Sequence, residues 1–431
     1  MREVTIKCLE YLRTVEATAG EHAGRLHHDA RFEAWHKAAY EELGFLDSGN
    51  YIEHAHACME KPASALTLEE TRSRITFILR SARGRYTFLD EPITDGSLRE
   101  LLERYLELTA TTKEAIASGV YGLAVADAVG VPAEFLSREE LQAAPVIDMI
   151  GGGFHSQEAG TWSDDTSMAL CLAFSAAEKK VVDADDVMRR FCDWRDKGAY
   201  SPHGLCFDIG LTVLRALQRY AEGVPAPECG GETLTDNGNG SLMRILPLVY
   251  ILFTRYGKDF IANDEAMACI DTVSSLTHRH PVSRVACGIY LSIAARLLLG
   301  DTVDDAVQRG IDAALGWYSA HRGYEEGLDC WTRLRDVNAF KALPEEAIRS
   351  SGYVVDTLEA ALWCLFNTDD YRGCVLKAVN LGNDTDTVAA VAGGLAGIHY
   401  GMSGIPEEWL RGLQGKKLLD DCCNSLAAYT K

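Results

Sequence analysis

Two stretches of the chain set paired carboxylates beside hydroxyls. They are Trp162-Ser163-Asp164-Asp165-Thr166-Ser167-Met168 and Asn380-Leu381-Gly382-Asn383-Asp384-Thr385-Asp386-Thr387. Each opens a run of small or apolar residues, Ala169 to Phe174 in the first case and Val388 to Gly401 in the second. Acidic and hydroxyl side chains are favoured at helix starts, so either cluster taken alone is also ordinary capping chemistry. If both starts converge, four carboxylates share one pocket and cannot all ionise without cations, because like charges at short range raise one another's pKa. Oxygen donors with no Cys or His beside them suit Mg²⁺, Mn²⁺ or Ca²⁺ better than zinc. Two such ions about 3.5–4 Å apart are a common catalytic arrangement. The small residues behind Asp386 (Ala389, Ala390, Ala392, Gly393, Gly394, Ala396, Gly397) read as a surface for close helix approach, not as ligand contacts.

Two further segments carry candidate binding groups. Asp236-Asn237-Gly238-Asn239-Gly240-Ser241-Leu242-Met243-Arg244 is a glycine-rich turn leading into an apolar run. Such turns can present successive N–H groups to phosphate oxygens, although turn chemistry alone explains the composition equally well. Thr277-His278-Arg279-His280-Pro281 places two imidazoles beside a helix start, where histidine also has many structural uses.

The elements that must position these groups read as helices. Thr67-Leu68-Glu69-Glu70 and Ser97-Leu98-Arg99-Glu100 match the capping-box pattern. Leu98, Leu101, Leu102, Tyr105 and Leu106 then form one apolar face, as do Leu358, Ala361, Leu362, Leu365 and Phe366, and more loosely Gly210, Leu214, Leu217 and Ala221. No long stretch alternates apolar and polar residues with β-branched enrichment, which predicts an all-α fold. The 431 residues, 47% of them hydrophobic and 24% charged, suit a globular chain of more than one unit. A break at Thr109-Ala110-Thr111-Thr112 separates a charge- and histidine-rich segment, 1–110, from a segment of small apolar residues and glycine, 113–431. His22, His27, His28, His36, His54 and His56 lack metal-ligand spacing and read as surface or core residues.

The balance of 42 Lys+Arg against 63 Asp+Glu, a net charge of −21, disfavours nucleic acid as a general partner. The start of the chain does not read as a signal peptide. Apolar stretches such as Val285 to Ala295, before Arg296, fall short of the roughly 20 residues that span a bilayer, so no membrane partner and a cytoplasmic location are expected. The 13 cysteines, none spaced C-x-x-C, read as reduced and mostly buried thiols.

The order of the motifs carries a resemblance. Gly119-x-x-Gly122, Asp127-x-x-Gly130-x-Pro132-x-Glu134-Phe135, W-S-D-D-T, N-G-N-G-S-L-M-R, T-H-x-x-P and N-L-G-N-D-T-D-T follow one another as in the ADP-ribosylglycohydrolase family, of the dinitrogenase reductase-activating type. The similarity extends to 198–210, Gly352-Tyr353-Val354-Val355-Asp356 and Ile405-Pro406-Glu407-Glu408-Trp409, and covers roughly 113–431.

The resemblance implies an orthogonal multi-helix fold around a centre of two divalent cations, Mg²⁺ or Mn²⁺, in a cleft for ADP-ribose. It implies metal ligation by Ser163, Asp164, Asp165, Asp384, Asp386 and Thr387. Glu134 or Asp165 becomes the candidate general acid/base, and Asn237, Gly238, Asn239, Gly240, Ser241 and His278 become substrate-binding candidates. Two positions depart from the family pattern: Ser163 stands where Thr is commoner, and Asn383 replaces the second glycine of the usual G-G-D. Asn tolerates positive φ better than most residues. The implied activity is hydrolysis of the glycosidic bond between ADP-ribose and an acceptor, such as an ADP-ribosylated protein side chain, by a monomeric enzyme of the glycosidase class. Alternatives are a non-catalytic ADP-ribose-binding or crystallin-like protein on the same scaffold, or a hydrolase of another nucleotide-like substrate. The segment 1–110 resembles a small helical domain only faintly, through Arg80 to Tyr86 and Asp95 to Leu98; target recognition, cleft capping and stabilisation are its candidate roles.

Overall fold

The computed structural model describes residues 2–19, 30–47, 49–83 and 85–430, and among these it holds helices and no strand. The chain divides into two compact units: Met1–Ala110 with Leu298–Thr302, and Thr111–Leu297 with Val303–Lys431.

In the first unit, α1 (Arg2–Ala19), α2 (Ala30–Leu43), α3 (Leu68–Ser81) and α4 (Ser97–Thr109) share one core that includes Leu9, Leu12, Phe32, Leu43, Ile75 and Leu79. The face Leu98, Leu101, Leu102, Tyr105 and Leu106 of α4 is buried throughout. The box at Thr67 forms in full: Glu70 N–H donates to Thr67 Oγ1 at 3.3 Å and Thr67 N–H to Glu70 Oε2 at 3.0 Å. The box expected at Ser97 does not. Gly96, at φ 79°, is the N-cap, and Asp95 Oδ1 accepts the Ser97 N–H at 2.8 Å, so Ser97 already lies inside the helix. Asp95 is a better acceptor than the hydroxyl, and Gly96 supplies the left-handed residue that the turn needs. Arg80 donates to Gly44 O at 2.7 Å and lies over the Phe45 ring at 4.2 Å. His36 is buried, His54 Nδ1 sits 3.1 Å from Asp47, and His56 packs edge-on to Phe77. His22, His27, His28 and Gly84 lie outside the described residues.

The second unit is organised by α5 (Lys113–Gly130), α6 (Asp164–Lys179), α7 (Leu211–Ala221), α8 (Pro281–Leu298), α9 (Val354–Phe366) and α10 (Thr385–Tyr400). Helices α5 and α10 are buried on nearly every side and pack on each other through small residues. A Cβ on Gly122 would lie 2.8 Å from Gly397 Cα, and one on Gly393 would strike Ala126, so the glycines set the interhelical distance. Tyr371 and Tyr290 hydroxyls donate to Gly122 O at 2.6 Å and Val391 O at 3.1 Å, satisfying carbonyls in this apolar interior.

The expectation that no apolar stretch reaches membrane-spanning length needs correction. Lys113–Ala133 and Pro281–Leu298 are helices long and apolar enough, but 94% and 83% of their apolar windows are buried inside the protein. All-round hydrophobicity here marks core helices. The α7 face also differs from the expected one. Val213, Ala216 and Leu217 point inward while Leu214 and Gly210 are exposed, because the helix starts only at Leu211 and its stripe is displaced by a residue. The α9 stripe Leu358, Ala361, Leu362 and Leu365 is buried as read. All 13 cysteines are free thiols, nine of them buried and four partly exposed.

Candidate active site

Helix α6 starts where a carboxylate on α5 holds it. Asp127, buried in the last turn of α5, accepts the Ser163 N–H at 2.9 Å, the Thr166 N–H at 3.1 Å and the Thr166 hydroxyl at 2.6 Å. Ser163 Oγ in turn accepts the Asp165 N–H at 3.3 Å. The orphan amides of the first turn are thereby satisfied, and Asp164 and Asp165 are fixed at its buried end.

Helix α10 begins beside the end of α5. A Cβ on Gly130 would fall on the backbone of Asp386 and Thr385, and Thr385 Oγ1 donates to Gly130 O at 2.8 Å. This close approach puts Asp386 next to the α6 start, and Thr387 Oγ1 donates to Asp165 Oδ1 across the gap at 3.2 Å. Asp384 accepts from Asn239 Nδ2 at 2.9 Å, and Asn239 Nδ2 also reaches Thr357 Oγ1 at 2.9 Å. Asn383 adopts φ 65°, the conformation for which Asn is tolerated in place of glycine, and donates to Ser350 Oγ at 3.3 Å. The two acidic helix starts therefore converge.

A second acidic group stands on the segment after α5. Glu134 Oε2 lies 2.5 Å from His155 Nε2, and the Asp208 carboxylate joins them, all three offering ligand atoms within 4.8 Å of one another. Glu134 is held by its neighbours: Phe135 N–H donates to Asn383 O at 2.8 Å and Asn383 N–H to Leu136 O at 2.7 Å. Phe135 (φ 70°) and Asn383 are both left-handed, and the two bonds, from Phe135 to Asn383 and from Asn383 to Leu136, tie the Glu134 segment to the Asp384 segment.

Burial dominates the electrostatics. It raises Glu134 to about 9, with the charges of Asp208 and Asp384 adding to the effect, and raises Asp127 to about 6. Asp164, Asp165 and Asp386 are pushed well above the ordinary carboxylate range by burial and by one another, and Asp384 is raised by burial. Mutually repelling buried carboxylates are what divalent cations neutralise. Asp127, Asp165 and Asp386 have ligand atoms within 4.8 Å of one another and can hold a metal ion. The donor set fits that role unevenly. Asp165 Oδ2 and Asp386 Oδ2 are buried without a hydrogen-bond partner, whereas both Asp127 oxygens accept from the α6 start. Asp165 and Asp386 are thus the better-suited donors, and Asp127 is their support.

The glycine-rich turn joins this centre through Asn239. The other residues singled out there are tied into the scaffold: Asn237 Oδ1 accepts from Ser283 Oγ at 2.9 Å, Ser241 Oγ accepts from Ser274 Oγ at 3.0 Å, and Gly238 pairs with Tyr353. His278, a substrate-binding candidate by resemblance, is buried beneath the turn. Its ring lies where a Cβ on Gly240 would come within 2.8 Å of Cε1, and Nδ1 meets Thr277 Oγ1 at 2.8 Å. Arg244 is fully buried under the same turn and donates to Gly240 O and, at 2.7 Å, to Thr277 Oγ1. Sequence reasoning assigned no role to Asp127, His155 or Asp208. A carboxylate at the end of the apolar run Val120 to Ala126 signals Asp127, but His155 and Asp208 stand in loops with no local pattern.

A helical fold that crowds buried acids around a Glu–His pair has the groups a hydrolase of glycosidic bonds requires. Comparison with known proteins narrows the class. The family described as ADP-ribosylglycohydrolase matches residues 108–431, so the chain belongs to the ADP-ribosylglycohydrolase family and is a glycosidase-type hydrolase. Over 305 residues it is 35% identical to "ADP-ribosylarginine hydrolase Tri1" of Serratia proteamaculans, covering 71% of this chain and 76% of the relative. Over 300 residues it is 34% identical to "ADP-ribosyl-[dinitrogen reductase] glycohydrolase" of Rhodospirillum rubrum, covering 68% and 88%. A solved "ADP-ribosylglycohydrolase-related protein complex" superposes with a TM-score of 0.59 at 30% identity, covering 74% of this chain and 99% of the other.

Proposed function

We propose that the protein removes ADP-ribose from arginine side chains of modified proteins in the cytosol, using two divalent cations, Mg²⁺ or Mn²⁺. The observation that carries this reading is the convergence of the two acidic helix starts with Asp165 Oδ2 and Asp386 Oδ2 buried and unpartnered. The arginine linkage is supported by the similarity to the Serratia proteamaculans relative, an ADP-ribosylarginine hydrolase.

Ser163, Asp164, Asp165, Asp384, Asp386 and Thr387 would hold the cations. When bound, these supply Lewis acidity to the ribose hydroxyls and to water near neutral pH. Asp127 keeps the α6 start in place, and Asn239 steadies Asp384. In the reaction a water oxygen bonds to the anomeric carbon and the carbon–nitrogen bond breaks. Its electron pair goes to the departing guanidine, which takes up the water's proton. Glu134 Oε2, paired with His155 Nε2, is the group placed to carry that proton.

The test is ADP-ribose release from arginine-linked and serine-linked model proteins with Mg²⁺, with Mn²⁺ and after chelation. Release from the arginine substrate should need the cation and fall more than about 100-fold in a folded Asp384→Ala variant. Release that survives both treatments overturns the metal reading; release only from serine overturns the linkage.

A further inference from the structure

The groups described so far act on the ribose and the water; none addresses the acceptor that departs. Phe154, 74% exposed, is the most exposed large apolar side chain among the described residues, and Phe135 is 59% exposed. Their rings meet edge to face, with centroids 4.9 Å apart. Phe154 lies 5.1 Å and Phe135 6.0 Å from the His155 ring, whose Nε2 contacts Glu134. Each phenylalanine is thus the chain neighbour of one member of the Glu134–His155 pair. Phe135 also holds a left-handed φ of 70°, costly for a bulky residue, without burying its ring in return. Exposed aromatic surface of this kind marks an interaction site.

The neighbouring carboxyl groups select the occupant. Glu134 and Asp208 are not among the residues proposed to hold the cations, and their carboxyl oxygens and a His155 ring nitrogen lie within 4.8 Å of one another. The planar guanidinium stacks on aromatic rings and donates paired N–H groups to carboxyl oxygens. An acceptor without that fork of donors would keep only the stacking. The geometry points to Phe154, supported by Phe135, as the platform that receives the guanidinium of the ADP-ribosylated arginine and so selects the leaving group. This assignment rests on the arginine linkage proposed above.

The experiment compares the full-length wild type, Phe154→Ala and Phe154→Tyr in Mg²⁺ buffer. It reads kcat and KM on an arginine-linked substrate, and the Kd of free ADP-ribose, which has no acceptor. The exposed site leaves folding intact, checked by thermal melting. Phe154→Ala should lose about 3- to 30-fold in kcat/KM, mostly through KM, with ADP-ribose affinity kept within about twofold and Phe154→Tyr close to wild type. A parallel loss of ADP-ribose affinity would make the ring a seat for the adenine and overturn the assignment, as would no change in either quantity. The proposed function is read separately, on wild type alone. Wild type acting only on a serine linkage removes the guanidinium platform but leaves the hydrolase standing; wild type acting on neither removes both.

Discussion

The starts of α6 and α10 carry the same residue types and are built by different means. At α6 the first turn is held by hydrogen bonds: Asp127 reaches in from another helix and Ser163 caps from within. At α10 the N-cap residue Asp384 makes no capping hydrogen bond, and Asp386 takes its place because Gly130 lets two backbones touch. One aspartate pair is positioned by hydrogen bonds alone; the other needs the absence of a side chain at Gly130 as well as its hydrogen bonds. Polar and steric positioning fail differently, and this separates the tests.

The largest effect should come from Gly130→Ala. The added methyl meets Asp386 and Thr385 backbone, which cannot swing away as a flexible side chain could. Overpacking of this kind costs typically about 1–3 kcal/mol, and here it also displaces a candidate ligand. Both thermal stability and activity should fall, and retention of both would show that the α10 start can move independently of α5. Asp127→Asn tests the other start. The amide keeps the shape but turns a donor toward donors at Ser163 and Thr166, so unfolding in urea should show a loss of about 2–3 kcal/mol. A loss below the scatter of the measurement would mean that the α6 turn satisfies itself.

The smallest effect concerns the glycine-rich turn that supports Asp384. His278 beneath it is held neutral, its pKa pushed down to about 3 by burial and by the Arg244 charge. The unfolded chain binds a proton there from about pH 6.5 downward while the folded protein does not. Its contribution is therefore fully present above about pH 6.5 and declines as the pH falls, by at most about 1.4 kcal/mol per unit. A stability profile of His278→Gln between pH 7 and 5 should be flatter than that of wild type by this amount; equal slopes would place the proton on the folded state too.

Much of this architecture was legible because it is written in local periodicity. The stripe from Leu98 to Leu106, the box at Thr67 and the small residues of α10 each act over one or two turns, and the structure uses them as read. The paired aspartates were visible for the same reason, since helix starts have a local signature. What stayed hidden depends on distance in the chain. Asp127 acts 36 residues away from Ser163, and Glu134 and His155, 21 positions apart, share no pattern that pairs them. Ser97 failed as a cap because Asp95 and Gly96 beside it form a competing turn, a contest between neighbours that a motif does not weigh.

The two backbone hydrogen bonds that Asn383 makes with Phe135 and Leu136 also restrict where chain length can change. Two hydrogen bonds of opposite sense, one from Phe135 to Asn383 and one from Asn383 to Leu136, allow one register only, with Phe135 and Asn383 left-handed. A residue inserted between Gly130 and Leu136, or between Gly382 and Asp384, would slip that register and carry Glu134 or Asp384 with it. Insertions and deletions that leave the enzyme working should therefore lie outside these two short stretches, however freely the surrounding surface loops vary.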